Sequence, residues 1–168
     1  MGIFQQRLSE LGLVLPAPLQ MPPGAVLPFP WVRQVGRRVL ISGHGPTDEL
    51  GRLAAPLGKV GDAVTPEQAY QSARLVGLAM LGSLARELGD LDRIAAWTRV
   101  FGMVNSAPGF IHQPAVINGF SELILAVFGP TVGAHARSAV GMAELPFNIP
   151  VEIEAEVWLH PDSPEQAD

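Results

Sequence analysis

The segment from 135 to 159 combines one arginine and a row of acids at a spacing that suits carboxylate chemistry. It reads HARSAVGMAELPFNIPVEIEAEVWL and predicts two strands joined by a short Pro/Asn loop. Arg137 stands at the head of the first strand among small residues, and its planar fork suits bidentate capture of a carboxylate. The alternative is a structural ion pair with a nearby glutamate, and the sequence alone does not separate the two.

The second strand of this segment carries the acids on a single face. Strand alternation separates an apolar face from a face that holds Glu152, Glu154, Glu156 and Trp158. Three carboxylates in a row repel one another unless water, cations or a partner chain accommodates them. This face is therefore predicted to be an interface or a site. Glu152, near a ligand anchored by an arginine, can hold a water or transfer a proton. The alternative is a surface or interface acid.

The remaining residues that could do chemistry give weaker signals. The four histidines, His44, His112, His135 and His160, show none of the spacings typical of metal ligands, so no metal site is expected. His44 lies between glycines where it can border a pocket, and His135 points the same way as Arg137 if the strand starts that early. Ser138 lacks the glycines of a hydrolase elbow, which argues against a serine nucleophile.

Composition limits the class of protein. The 168 residues predict one domain, and 48% hydrophobic against 16% charged residues indicates a large core or surface covered by other subunits, of which we favour the second. A net charge of −5 makes nucleic acid an improbable partner. Without cysteine there are no disulfides or thiolate sites. No uninterrupted apolar run reaches membrane-spanning length and residues 1–30 do not resemble a signal peptide, so a cytoplasmic protein without a membrane partner is expected.

The pattern along the chain predicts an α+β domain. Residues 1–30 form an extension, a helix over 3–13 followed by a Pro-rich arm in which Phe29 and Trp31 line a pocket or pin the arm. The further predicted elements are strands 31–35 and 38–42, a loop over 47–64 with one possible short strand, a helix begun by the Thr65 capping box and ended at Gly89, strand 94–104, a helix over 110–128 closed by Gly129-Pro130, the two final strands, and a polar tail over 161–168. This order requires a mixed sheet with both helices on one face.

Several of these segments together resemble one known family. The carriers are Ile41-Ser42-Gly43, the helix after Thr65, Gly89-Asp90-Leu91 before a strand, and the closing stretch from Ala136-Arg137-Ser138 through Leu145-Pro146 to Val151-Glu152-Ile153-Glu154. Over roughly residues 5–160 the chain resembles the RidA family, also called YjgF/YER057c/UK114, in its longer branch that is described as L-PSP endoribonuclease-like.

The resemblance implies a chorismate-mutase-like fold and a homotrimer with ligand sites between subunits. It further implies hydrolysis of reactive enamines and imines to 2-oxo acids and ammonia, without metal or cofactor. Arg137 matches the arginine that holds the substrate carboxylate, Glu152 the acid that positions the water, and Ala139 and Gly43 fall beside the substrate. Phe29 stands where the deaminase pattern has a tyrosine, and so retains the ring without the hydroxyl. A non-catalytic trimeric binder of small carboxylates is the alternative function.

Overall fold

A five-stranded mixed sheet forms the centre of the molecule, in a computed structural model that describes residues 2–161. The elements are α1 (Ile3–Glu10), β1 (Val32–Val35), β2 (Arg38–His44), α2 (Pro66–Leu88), β3 (Ile94–Asn105), α3 (Gln113–Val132), β4 (Ala136–Met142) and β5 (Val151–Leu159), with short 3-10 turns at Leu91–Arg93 and Pro146–Asn148. The predicted polar tail lies, from residue 162 on, outside the described residues.

The strand order in the sheet is β1-β2-β5-β3-β4. Only β3 and β4 run parallel, and all other neighbours are antiparallel. A parallel pair needs a crossover, and α3 supplies it. The predicted mixed α+β architecture is therefore confirmed, with β5 inside the sheet and β4 at its edge.

The two faces of the sheet differ as the alternation in β5 predicts. The odd-numbered residues Val151 to Leu159 are buried beneath the helices, whereas Glu152, Glu154, Glu156 and Trp158 lie on the opposite, open face. Both long helices pack on the apolar face, where Trp97 and Phe120 meet edge to face in the core with ring centroids 5.8 Å apart. The helices thus leave the acid-bearing face uncovered within one chain.

The start and end of α2 agree with its sequence signals. The Thr65 hydroxyl accepts a hydrogen bond from the Gln68 amide (3.2 Å), and the Gln68 side chain accepts one from the Thr65 amide (2.9 Å), so the predicted capping box is formed. Gly89 follows the helix with φ +76°, the left-handed conformation that glycine adopts without a Cβ penalty. Local sequence is sufficient to set the two ends of this helix.

The predicted bounds of α3 were wrong at both ends. The helix begins at Gln113 rather than 110, because Pro114 occupies its first turn and the Gln113 side chain donates to the Phe110 carbonyl (2.7 Å) in the preceding loop. At the other end Gly129 leaves helical geometry (φ +76°, ψ 174°), yet one more turn follows to Val132. Gly129-Pro130 therefore kinks the helix instead of closing it.

By length and composition α3 is also apolar enough to cross a membrane. A core helix passes the same test, and one face of α3 is buried against the sheet and the neighbouring helices. The buried positions on this face are Val116, Ile117, Phe120, Leu123, Ile124 and Val127. The helix is accounted for by its place in the core.

The N-terminal extension is docked onto the domain. The amides of Ile3 and Phe4 donate to the two carboxylate oxygens of Asp92 (2.6 and 2.9 Å), and the Phe4 ring packs on Phe128. The arm that follows hydrogen-bonds through its backbone to the loop at 49–51. That loop, in the region 47–64, holds isolated bridges and, among the described residues, no strand, so the optional third strand is absent there.

Candidate functional site

Arg137 lies on the helix-facing side of the edge strand β4. Its Nη1 donates to Asn118 Oδ1 (2.9 Å) and Ser121 Oγ (3.1 Å), and its Nη2 donates to the Pro114 carbonyl (3.3 Å). Within residues 2–161 Arg137 forms no ion pair. The alternative that it pairs with a glutamate of the same chain is therefore not observed. Partial burial without a counter-charge lowers its pKa. Arg137 is thus a half-buried cation in a fixed orientation.

His135 and Ser121 extend the contacts of this arginine. His135 Nδ1 lies 2.7 Å from the Gly133 carbonyl, which only accepts, so this nitrogen carries the proton. Nε2 then accepts from the Ser121 hydroxyl (2.9 Å), whose oxygen accepts from Arg137. The strand begins at Ala136, so the condition under which His135 was predicted to point the same way as Arg137 is not met, yet both side chains contact Ser121. Burial, and to a lesser degree the Arg137 charge, lowers the pKa of His135, which keeps the ring neutral.

We expect the buried, neutral His135 to make the stability of the folded chain depend on pH. The pKa of His135 is lower in the folded chain than its unfolded value of about 6.5, so the unfolded state takes up a proton more readily. The free energy of unfolding should therefore fall as pH drops below about 6.5. Urea unfolding between pH 7.5 and 5 measures this fall, which His135→Gln should reduce and the same change at the exposed His160 should not. Equal pH slopes for all three proteins would contradict it.

Glu152 lies on the open face of the sheet, beside Gly43 of β2. A Cβ built at Gly43 would overlap the Glu152 carboxylate, so a glycine is required for the two strands to hold the acid there. Burial first, and the charge of Glu154 second, raise the pKa of Glu152 above that of an ordinary glutamate. A half-buried carboxylate with a raised pKa is suited to accept and return a proton near neutral pH.

Phe29 lies in the arm that precedes β1 and packs on Trp31. Its ring packs edge to face on Trp31 with centroids 5.9 Å apart, and about half of the residue is exposed (47%). The Ser42 hydroxyl donates to the Pro30 carbonyl (2.9 Å) and so fastens the arm to the strand that carries Gly43. Gly43 and Glu152 are in direct contact, and Phe29 is joined to them only through this attachment of the arm; we call the three together the glutamate half.

The second region, which we call the arginine half, consists of Arg137 and Ala139. The two lie on the same side of β4, opposite Val100 and Gly102 of β3. Glu152 is opposite Met103, an odd number of residues further along β3, and therefore lies on the other face of the sheet. Since β4 and β5 flank β3, their backbones are also about 10 Å apart across the sheet. One chain does not bring the two halves into a single pocket.

The acid row is less isolated than its sequence indicates. Glu156 accepts a hydrogen bond from Arg38 of β2 (2.6 Å), which lowers the pKa of its carboxyl. Arg99 of β3 lies opposite Glu156 on the same face, and it lines a pocket of about 280 Å³ together with Glu154. The charges are mixed across neighbouring strands, although they are not mixed along β5.

Two residues that hold the arginine were missed in the sequence. Asn118 and Ser121 are three positions apart on α3, and residues at this spacing share a helix face. The signal that could have found them is a pair of neutral polar residues at helical spacing in a mostly apolar helix. No cluster of three potential metal ligands occurs within residues 2–161.

Comparison with known proteins gives consistent matches. A model of the YjgF/chorismate mutase-like family, whose description adds a provisional endoribonuclease activity, matches residues 6–154. The chain is 38% identical over 161 residues to Protein TCP17 of Trypanosoma cruzi, which covers 95% of this chain and 96% of that protein.

Solved structures agree with these matches. Atu1372 of Agrobacterium tumefaciens, a protein of unknown function, is 37% identical with a TM-score of 0.81, over 94% of this chain and 92% of that one. A Shewanella oneidensis protein with a provisional endoribonuclease name is 28% identical with a TM-score of 0.83, over 94% of this chain and 100% of that one. The similarity thus extends over nearly the whole length of each chain.

Proposed function

This chain belongs to the YjgF/chorismate mutase-like family, and on that premise we propose that it deaminates small enamines and imines that carry a carboxylate, without a cofactor. The products are 2-oxo acids and ammonia. The observation that carries the proposal is Arg137, a half-buried arginine without a carboxylate partner in the described chain, whose guanidinium is already oriented by three hydrogen bonds.

The arginine supports binding of a substrate carboxylate. Its orientation by Asn118 and Ser121 lowers the entropic cost of holding a ligand. A cation that has lost part of its water without gaining a protein counter-ion gains more from an incoming anion than an exposed arginine does. Ala139, next on the same side of the strand, leaves space beside the guanidinium for a small ligand.

Glu152 supports the hydrolytic step. The enamine first tautomerises to an imine, and a water then adds to the C=N carbon while Glu152 accepts a proton from that water. Glu152 returns this proton to nitrogen, which completes the carbinolamine. It then transfers the hydroxyl proton to the same nitrogen as the C–N bond breaks, so that ammonia leaves and the C=O bond of a 2-oxo acid forms. A carboxyl with a raised pKa can serve in both directions. One aimed water and one fixed carboxylate anchor are sufficient for this chemistry.

The two halves meet in this proposal across a contact between subunits. In a single chain they lie on opposite faces of the sheet, so a complete site requires the arginine half of one copy and the glutamate half of another. The open acid-bearing face and the unpaired edge of β4 are the surfaces available for such a contact. We take the assembly to be a homotrimer with three such sites, which sedimentation analysis of the purified protein will test.

The direct test of the function is ammonia release from freshly generated 2-aminoacrylate and from larger imino acids. Release above the spontaneous rate, for substrates with a carboxylate but not for the corresponding neutral amides, is the expected result. A correctly folded oligomer that gives no acceleration with any of these substrates would overturn the proposal.

Phe29 favours a second function, the binding of small carboxylates without turnover. The ring in the glutamate half lacks the hydroxyl that the deaminase pattern places there. We expect Phe29→Tyr to raise kcat by up to about tenfold, the value of one added hydrogen bond in the transition state. The measurement is ammonia release under saturating substrate, with Phe147→Tyr as a control that adds a hydroxyl to another exposed ring. If neither protein turns over substrate but both bind it, the binding function replaces the catalytic one.

Ribonuclease activity, which the family description carries by name, has less support. The net charge of −5 provides no long-range attraction for a phosphate backbone. On the open face Arg38 is paired with Glu156, and Arg99 lies opposite that same acid. These two arginines are therefore balanced by nearby carboxylates.

A further inference from the structure

A cavity of about 220 Å³ lies on the helix-facing side of the sheet. It is bounded by the Pro-rich arm, the end of β2 and the last turns of α2. None of Arg137, Ala139, Phe29, Gly43 and Glu152 lines it. Its wall residue Trp31 packs on Phe29, so the cavity adjoins the glutamate half, but the proposed deamination gives it no role.

One end of the cavity is polar. His44, only 6% exposed, donates from Nδ1 to the Ser42 carbonyl (2.6 Å), and its Nε2 accepts from the Ser83 hydroxyl (2.9 Å). Burial and the charge of Arg86 lower the pKa of His44 and keep the ring neutral. This end is thus an ordered set of hydrogen bonds, and the prediction that His44 borders a pocket is confirmed.

Arg86 supplies the charge at the cavity mouth. Its Nη2 donates to Ser83 Oγ (3.2 Å) and its Nη1 to the Pro16 carbonyl of the arm (3.0 Å), which fixes the guanidinium plane. No carboxylate within residues 2–161 forms an ion pair with it. Three of its five N–H groups remain for a ligand. Glu87 also lines the mouth, and because both Glu87 and Arg86 are exposed, water screens both charges. Arg86 differs in being held in a fixed orientation by its two hydrogen bonds.

The other end of the cavity is apolar. Leu19, Leu53 and Ala79 form its walls, and the Trp31 ring, 5.0 Å from that of His44, closes the side toward the sheet. Thr47 also lines the cavity, and its buried hydroxyl has no hydrogen-bond partner within residues 2–161.

We propose that this cavity binds a small carboxylic acid with a branched apolar tail, with the carboxylate on Arg86 and the tail between Trp31 and Leu53. The chemistry follows from a single fixed cation at the mouth, neutral hydrogen-bonding groups next to it, and an apolar interior. The site is independent of the proposed deamination, and either can fail without the other.

Isovalerate is the probe, and the indole N–H resonance of Trp31 in a ¹⁵N spectrum reports on the cavity. The chain has three tryptophans, so Trp31→Phe assigns the signal. Saturable shifts with a Kd of roughly 1–10 mM are expected for so small a ligand. They should persist in Arg137→Ala, which separates this cavity from the substrate site. Loss of the shifts in Arg137→Ala would assign the binding to the substrate site and overturn the proposal.

Matched ligands and variants decide the chemistry. Isovaleramide and isopentylamine should bind the wild-type protein at least tenfold more weakly than isovalerate does. Isovalerate should also bind Arg86→Gln at least tenfold more weakly than wild type, whereas Arg74→Gln, on the same helix, should leave its affinity unchanged. Equal binding of the amide, or tighter binding of the amine, would refute the carboxylate site. Should Arg86→Gln fail to fold, Ala79→Leu makes the test by filling the apolar end. Unchanged affinity in that variant would place isovalerate elsewhere.

Discussion

Replacing Arg137 with alanine is expected to lower kcat/KM for imino acid hydrolysis by roughly 100- to 1,000-fold. The substrate carboxylate would lose its only fixed cationic partner in the arginine half, and both the ground state and the transition state depend on that contact. KM should therefore rise together with any fall in kcat. The measurement is ammonia release over a range of substrate concentrations, alongside calorimetric binding of a non-reactive 2-oxo acid.

The control for this variant has to separate binding from folding. Arg137 also donates to Asn118, Ser121 and the Pro114 carbonyl, so alanine removes contacts between β4 and α3. Arg137→Lys retains the charge and should recover part of the affinity, whereas Arg33→Ala, an exposed arginine on the opposite edge strand, should behave as wild type. If Arg137→Ala dissociates the oligomer or unfolds, and lysine restores assembly together with full activity, the arginine is structural.

Glu152→Gln is expected to reduce kcat by about 10²- to 10⁴-fold and to change KM little, because the amide keeps the shape but cannot accept the proton from water. The same change should leave the free energy of unfolding at neutral pH unaltered or higher. The folded-state pKa of Glu152 is raised, so its ionised form is disfavoured in the folded chain and its removal relieves that cost. A loss of activity without a loss of stability identifies a functional acid.

Glu154→Gln is the matched control, two residues along the same strand and face. It should retain turnover, but its charge contributes to the raised pKa of Glu152. The acid limb of the kcat profile should therefore move to lower pH in this variant. A fall in affinity equal to the fall in kcat for Glu152→Gln would remove the proposed role with water.

The same two variants also test whether the site is shared between subunits. Arg137→Ala chains retain the glutamate half, and Glu152→Gln chains retain the arginine half. If each site combines halves from two copies, randomly mixed oligomers should recover about a quarter of wild-type activity, since that share of contacts pairs two intact halves. If each chain holds a whole site, mixing restores nothing.

Much of the fold could be predicted because the signals are local. The capping box at Thr65, the glycine after α2 and the alternation in β5 each depend on residues a few positions apart, and the structure has all three as predicted. The bounds of α3 were wrong because Gly129 and Pro130, which usually end a helix, are followed by a further turn. Whether such a pair ends or kinks a helix depends on what the next turn packs against.

The sequence by itself determined which side chains could do the chemistry, but not how they meet. Arg137 and Glu152 were found from residue type and from position in a strand, whereas the assignment of Arg137 to Asn118 and Ser121 required the crossover through α3. Alternation fixes the faces within one strand, but the relative face of residues on two strands depends on register, which distant packing sets. Only the tertiary structure therefore placed Arg137 and Glu152 on opposite faces of the sheet, and it alone closed the Arg86 cavity with an arm from far along the chain.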